Sequence, residues 1–179
     1  YDPSDGGNQP RGKQVLKPSG IWYTPSTGIW QTVWLEPVAP EHISALVFVP
    51  DVDSKTIKLT ALSAGESTGC TVRVEVCDGT EEIAQAEGKV GAEIAIPIKL
   101  PKLWSPENPF LYDLNIRLLQ NGNQVDAVKS YFGMRKIEIA RDKKGIKRIL
   151  LNGKFELQVG PLDQGFWPDG LYTAPTDEA

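Results

Sequence analysis

The chain has 179 residues, 40% of them hydrophobic and 23% charged, with a formal net charge of -4. That length allows one sizeable domain with flanking pieces, or two small domains. The acidic balance argues against nucleic acid as a partner, and no stretch approaches the roughly 18 consecutive apolar residues of a membrane span. The opening residues Tyr1-Asp2-Pro3-Ser4-Asp5 contain neither an initiator Met nor a basic and apolar leader, so the expectation is a piece of a longer polypeptide.

Residues 1–28 are rich in Gly, Pro, Ser and Asp and show little periodicity. Residues 29–36 (IWQTVWLE) read as a strand, with Trp30 and Trp34 on one face and Ile29, Val33 and Leu35 on the other. A strand apolar on both faces needs cover on both sides, and nothing earlier in the chain supplies it. Trp22, Tyr23, Trp30 and Trp34 could stack on sugar rings, but packing is the more ordinary use of such rings and is expected here. His42 stands alone and reads as a surface residue in a linker, so no zinc site is expected around it.

The middle of the chain alternates with period two. After the apolar run 43–50, Ile57, Leu59 and Ala61 share a face. So do Cys70, Val72, Val74 and Val76, then Ile94, Ile96, Ile98 and Leu100, then Tyr112, Leu114, Ile116 and Leu118. A last strand, 124–132, follows Asn121-Gly122. Segment 80–87 is ambiguous between helix and strand, but Asp78-Gly79 before it signals a hairpin, which makes it an edge strand. Pro97 also belongs at an edge, because it cannot donate to a ladder. About seven strands in this stretch predict an immunoglobulin-like β-sandwich. Trp104 is expected to plug one end of it, and Tyr112 to serve as a tyrosine corner.

Cys70 and Cys77 fall in one strand, where seven residues separate them by about 23 Å. A disulfide needs Cα atoms within about 7 Å, so they cannot bridge each other, and two unpaired thiols assign no compartment. Downstream, 146–151 and 154–158 flank Asn152-Gly153, a type I′ hairpin signal. A loop with three Gly and three Pro follows, and Thr176-Asp177-Glu178 reads as the start of a helix.

Four runs carry a resemblance. Ser26-Thr27-Gly28-Ile29-Trp30-Gln31-Thr32-Val33-Trp34-Leu35-Glu36 resembles the end of the sugar-binding jelly roll of glycoside hydrolase family 2, which includes β-galactosidases, β-mannosidases and β-glucuronidases. Leu103-Trp104-Ser105-Pro106-Glu107-Asn108-Pro109-Phe110-Leu111-Tyr112-Asp113-Leu114 resembles the signature of the family's immunoglobulin-like domain. Phe132-Gly133-Met134-Arg135-Lys136-Ile137 is similar to the segment closing that domain, and Leu151-Asn152-Gly153-Lys154 to the hairpin leading into the catalytic (β/α)8 barrel. The four occur in the family's order and span nearly the whole chain. Where many members continue with a Gly-Val-Asn-Arg-His-like segment, this chain has residues 160–170 (GPLDQGFWPDG), a departure that marks a divergent subgroup and leaves the sugar open; among the family's members the chain is identified as β-galactosidase-like.

The resemblance implies an all-β chain in three parts. These are 1–37, the tail of the jelly roll; 38–137, the sandwich; and 138–179, the hairpin and loop at the start of the barrel. It implies a β-linked glycoside as substrate of the parent enzyme, contacts with the jelly-roll and barrel domains, and no cofactor. Both catalytic glutamates would lie beyond residue 179, so no catalytic residue and no metal ligand is expected within the chain. Local acids offer no substitute. Glu81 and Glu82 face opposite ways on a strand, Asp51 and Asp53 read as a turn, and Asp177 and Glu178 suit a helix start. Asp163, Phe166, Trp167 and Asp169, on the Gly/Pro-rich loop, are the candidates for substrate contact at an active-site rim. The alternative is a free-standing immunoglobulin-like module that binds carbohydrate or protein.

Overall fold

A computed structural model describes residues 6, 13–25, 29, 32–163, 167 and 174–179. The chain divides into two units, Pro37–Gln158 and the pairing of Tyr1–Glu36 with Val159–Ala179.

The larger unit contains ten strands: β1 (His42–Asp51), β2 (Thr56–Ala64), β3 (Cys70–Asp78), β4 (Glu81–Lys89), β5 (Glu93–Pro97), β6 (Tyr112–Gln120), β7 (Asn123–Phe132), β8 (Ile137–Arg141), β9 (Lys147–Leu151) and β10 (Lys154–Phe155). The first seven form two antiparallel sheets, ordered β1-β2-β5 and β4-β3-β6-β7. The alternation in the sequence becomes the alternation of burial. Ile57, Leu59, Ile94 and Ile96 from one sheet, with Ile98 just past β5, meet Val72, Val74, Val76, Leu114, Ile116 and Leu118 from the other in one buried cluster. The sheets pack as a β-sandwich, as the seven-strand pattern predicts. The ambiguous segment is the edge strand β4, and Pro97 closes the edge strand β5. Leu100, expected on the β5 core face, is instead exposed. The ladder ends at Pro97, and only Ile98 continues the alternation, its N–H donating to the Lys55 carbonyl at 2.8 Å.

Register is pinned by turns and by bulges. Asn121 and Gly122 have φ of 51° and 80°, and Asn152 and Gly153 have 51° and 77°. Both pairs are the positive-φ centres of type I′ hairpins, whose twist matches that of the flanking strands. Ser44, Ile83 and Val125 are the extra residues where the pairing shifts register. Across the two sheets, the Ile43 N–H donates to Asp126 Oδ2 at 2.8 Å. Cys70 faces the core. Cys77 faces the other way, its Sγ 3.6 Å from Asn115 Nδ2; both thiols are free. Burial pushes the Cys77 thiol up, helped by Glu75 and Glu82. His42 is the first residue of β1 rather than a linker residue. It is half-buried and held by a 2.8 Å bond between its Nδ1 and the Ala39 carbonyl.

Two expectations for the flanks fail. Among the described residues of 29–36 there is no strand, and Val33, Trp34 and Leu35 are exposed. Period-two patterning makes a face, but a strand also needs a ladder partner for its N–H and C=O groups, and these residues show none. Trp22 and Trp34 are 45% and 71% exposed; Trp30 lies outside the described residues. Residues 174–179 form bends and no helix. Thr176 Oγ1 does accept the Ala179 N–H at 3.2 Å, the geometry of an N-cap. A single turn without further hydrogen bonds does not nucleate a helix.

Tyr112 anchors the sandwich end. It is buried, with Phe110 edge-on at 4.8 Å and Phe132 stacked at 5.3 Å, and its hydroxyl accepts the Lys102 N–H at 2.7 Å. This is the expected corner, tying β6 to the backbone ten residues upstream. Tyr112→Phe keeps the rings but strands the Lys102 N–H. It should cost about 1–2 kcal/mol in urea unfolding followed by Trp fluorescence, with the denaturant slope unchanged.

Candidate interdomain junction

Three of the runs singled out in the sequence meet at one place. Leu103 bridges Met134 in parallel register, and the Trp104 N–H donates to the Met134 carbonyl at 2.9 Å. Met134 is fully buried. Gly133 allows this approach: a Cβ there would stand 3.3 Å from both Cβ and Cδ1 of Trp104. The Arg135 guanidinium lies 4.8 Å from the centre of the indole ring, a cation–π contact. The loop after Trp104 closes on itself. Ser105 and Asn108 exchange backbone bonds of 3.0 and 3.1 Å, and Ser105 Oγ also accepts the Asn108 N–H at 3.2 Å. The Trp104 plug is thus held at its backbone and at its ring.

The hairpin is fastened to the same spot. Antiparallel β8, β9 and β10 form a separate small sheet, and its turn residue Asn152 binds three ways. Its Nδ2 donates to the Trp104 carbonyl at 2.9 Å, its Oδ1 accepts the Lys136 N–H at 2.9 Å, and its own N–H donates to the Lys136 carbonyl at 2.8 Å. Asn suits both demands: it tolerates positive φ, and its carboxamide offers a donor and an acceptor. Lys136 Nζ reaches Asp53 Oδ2 in the β1–β2 turn at 2.6 Å and Glu138 Oε2 at 3.2 Å. Those two carboxylates, Asp53 first, raise the Lys136 pKa. Asp51 shapes that turn by accepting the Ser54 N–H at 2.9 Å, so the acids at 51 and 53 belong to a turn, as expected.

At the far end of the small sheet, Asp142 Oδ1 accepts the N–H groups of Lys144 and Ile146 at 2.8 and 2.9 Å, and Oδ2 pairs with Arg148 Nε at 3.1 Å. The Ile146 amide, followed by Arg148 and Lys144, holds this carboxyl below the usual Asp value.

Of the four rim candidates, Asp163 is exposed and Trp167 is 38% exposed in an isolated bridge. Phe166 and Asp169 lie outside the described residues. No grouping of three or more His, Cys, Asp or Glu suited to a metal occurs among the described residues. Sequence reasoning missed Asn152 as a clamp on Lys136 and Trp104, and Arg135 as a contact of the Trp104 ring. The motifs marked these positions, but their partners lie up to 83 residues away.

Comparison with known proteins gives the family. The family model "Glycosyl hydrolases family 2" matches residues 41–135, more than half of the chain. The chain belongs to glycosyl hydrolase family 2. A protein of Formosa agariphila that carries the name β-glucuronidase is 29% identical to this family 2 chain over 139 residues, covering 70% of it and 17% of the relative. A β-galactosidase of Bacteroides ovatus is 26% identical over 155 residues, covering 77% of the chain and 18% of the relative. A solved β-glucuronidase of Ruminococcus gnavus shares the fold, with a TM-score of 0.52 at 22% identity over 64% of the chain and 19% of that structure. The chain therefore spans under a fifth of the length of these relatives. Among the described residues, no helix is long and apolar enough to cross a membrane.

Two outcomes follow from the junction. Asn152→Gly retains the turn's φ but deletes both carboxamide bonds. It should cost about 2 kcal/mol, roughly 1 per bond, and should raise the hydrogen-exchange rate of the Lys136 amide while leaving β3 and β6 protected. The order Asp142 brings to its turn is present above the ordinary Asp pKa and is lost as pH falls through the depressed folded value. In an NMR titration the Lys144 and Ile146 amides should therefore shift together, with a midpoint below 3.8.

Proposed function

We propose that this chain is the immunoglobulin-like section of a longer, β-galactosidase-like enzyme that hydrolyses β-linked glycosides with net retention. In this reading residues 1–37 close a sugar-binding jelly roll, 38–137 form the spacer sandwich, and 138–179 open the catalytic barrel. The family match over residues 41–135 carries the reading. The junction supports it: three stretches that mark the family by resemblance serve one mechanical purpose, fastening the hairpin at 151–154 to the sandwich end. A spacer has to fix the direction in which the chain leaves it, and a plug held at its backbone and at its ring does so.

Retaining hydrolysis uses two carboxyl groups about 5–5.5 Å apart, one as nucleophile and one as acid then base, through a glycosyl-enzyme intermediate. In this reading both belong to the barrel outside these 179 residues, and the chain's own contribution is positional. Asp163, Phe166, Trp167 and Asp169 line the rim of the substrate site. Relatives carry the names β-glucuronidase and β-galactosidase, so the discriminating assay uses both sugars.

The purified 179-residue chain should release no nitrophenol from aryl β-galactoside or β-glucuronide above the buffer rate. A longer gene product containing it should hydrolyse one of the two, with the β-anomer appearing first by proton NMR. Enzyme-like turnover by the 179-residue chain, or first release of the α-anomer by the longer protein, would contradict the reading.

A further inference from the structure

Two turns of this chain share a dipeptide and a geometry. Asn121-Gly122 joins β6 to β7, and Asn152-Gly153 joins β9 to β10. The Asn φ is 51° in both, and the Gly φ is 80° and 77°. Each turn is closed by the residues on either side, Gln120 with Asn123 and Leu151 with Lys154, so neither Gly amide belongs to the ladder. Asn is a thermolabile residue, and a following Gly exposes it most. With no Cβ in the way, the Gly backbone nitrogen can reach the Asn Cγ.

The two carboxamides are held differently. Asn152 is half-buried, and its Nδ2 and Oδ1 bond the Trp104 carbonyl and the Lys136 N–H, each at 2.9 Å. Asn121 is exposed. Its Oδ1 lies beside Gly69, a residue with no side chain to hold it, and no described residue hydrogen-bonds its carboxamide.

We propose that Asn121 is a site of spontaneous deamidation and that the junction clamp protects Asn152 from the same reaction. The Gly122 nitrogen attacks Asn121 Cγ and gives its proton to water. The new N–C bond closes a succinimide, and the Cγ–Nδ2 bond breaks as Nδ2 leaves as ammonia. Water then opens the ring at either carbonyl, giving aspartate or an isoaspartate whose main chain runs through the side-chain carbonyl. The net change is water in and ammonia out, with no oxidant and no cofactor. At Asn152 the attack requires both carboxamide bonds to break first. Two neutral hydrogen bonds of about 1 kcal/mol each correspond to roughly 30-fold in rate. Backbone geometry cancels from the comparison, because the turns match in φ. The clamp is also one-way. A carboxylate accepts but does not donate, so deamidation at Asn152 puts an acceptor where Nδ2 now donates to the Trp104 carbonyl, and that contact cannot re-form.

Incubating the 179-residue chain in mildly alkaline buffer, then reading tryptic peptides by mass spectrometry, separates the sites. Cleavage after Arg117 and Lys129 releases 118–129, and cleavage after Arg148 and Lys154 releases 149–154. Fragmentation should place the change in the first peptide at residue 121, with isoaspartate and aspartate both present. It should accumulate roughly 30-fold faster than the change at residue 152. In urea, where the clamp is absent, the two rates should draw close together. Equal rates in the folded chain, a faster Asn152, or a difference that persists in urea overturns the proposal. So does an unchanged Asn121 in a folded sample whose urea control deamidates, or a product without isoaspartate, which excludes the cyclic route.

Discussion

Everything at the working end of this molecule depends on Trp104 being pinned to Met134. One backbone bond of 2.9 Å sets the indole against Gly133 and under Arg135, and it leaves the Trp104 carbonyl pointing at the Asn152 carboxamide. Loss of that anchor would free the loop 103–108, and with it the surface on which the hairpin turn rests. The stabilisation is modest bond by bond, about 1 kcal/mol each for neutral hydrogen bonds. Its effect is geometric: three short contacts from one turn residue leave the hairpin little freedom to rock.

The sandwich was legible because its information is local. Period-two alternation from Ile57 to Leu118 names the core face of each strand, and Asn121-Gly122 and Asn152-Gly153 name the turns, since few other residues accept positive φ. The bulges at Ser44, Ile83 and Val125 were not legible, because a bulge is a property of two strands together. The run 29–36 shows the converse error. Its pattern is as strong as any in the chain, yet its described residues form no strand, since pattern alone supplies no ladder partner.

The junction was half legible. Resemblance drew attention to 103–114, 132–137 and 151–154 as separate marks of a family, and their convergence is a tertiary fact. Lys136 finds Asp53 across 83 residues and Asn152 finds Trp104 across 48, distances over which sequence spacing carries no geometric signal. The rim residues remain a proposal, with Asp163 and Trp167 placed in the smaller unit and exposed to different degrees. That Ile137 and Ile139 lie on the exposed face of β8 is also a tertiary fact. Alternation shows two faces but not which one meets solvent.

In the proposed reading this family 2 chain acts as a spacer between domains. A spacer works by stiffness, so the account stands or falls on whether the sandwich and the hairpin sheet move as one body. Residual dipolar couplings of backbone amides in the 179-residue chain test this directly. A single alignment tensor should fit β1 to β7 and β8 to β10 together. Two independent tensors, or couplings averaged toward zero across β8 to β10, would show a hairpin that swings free of the Trp104 anchor and would contradict the account.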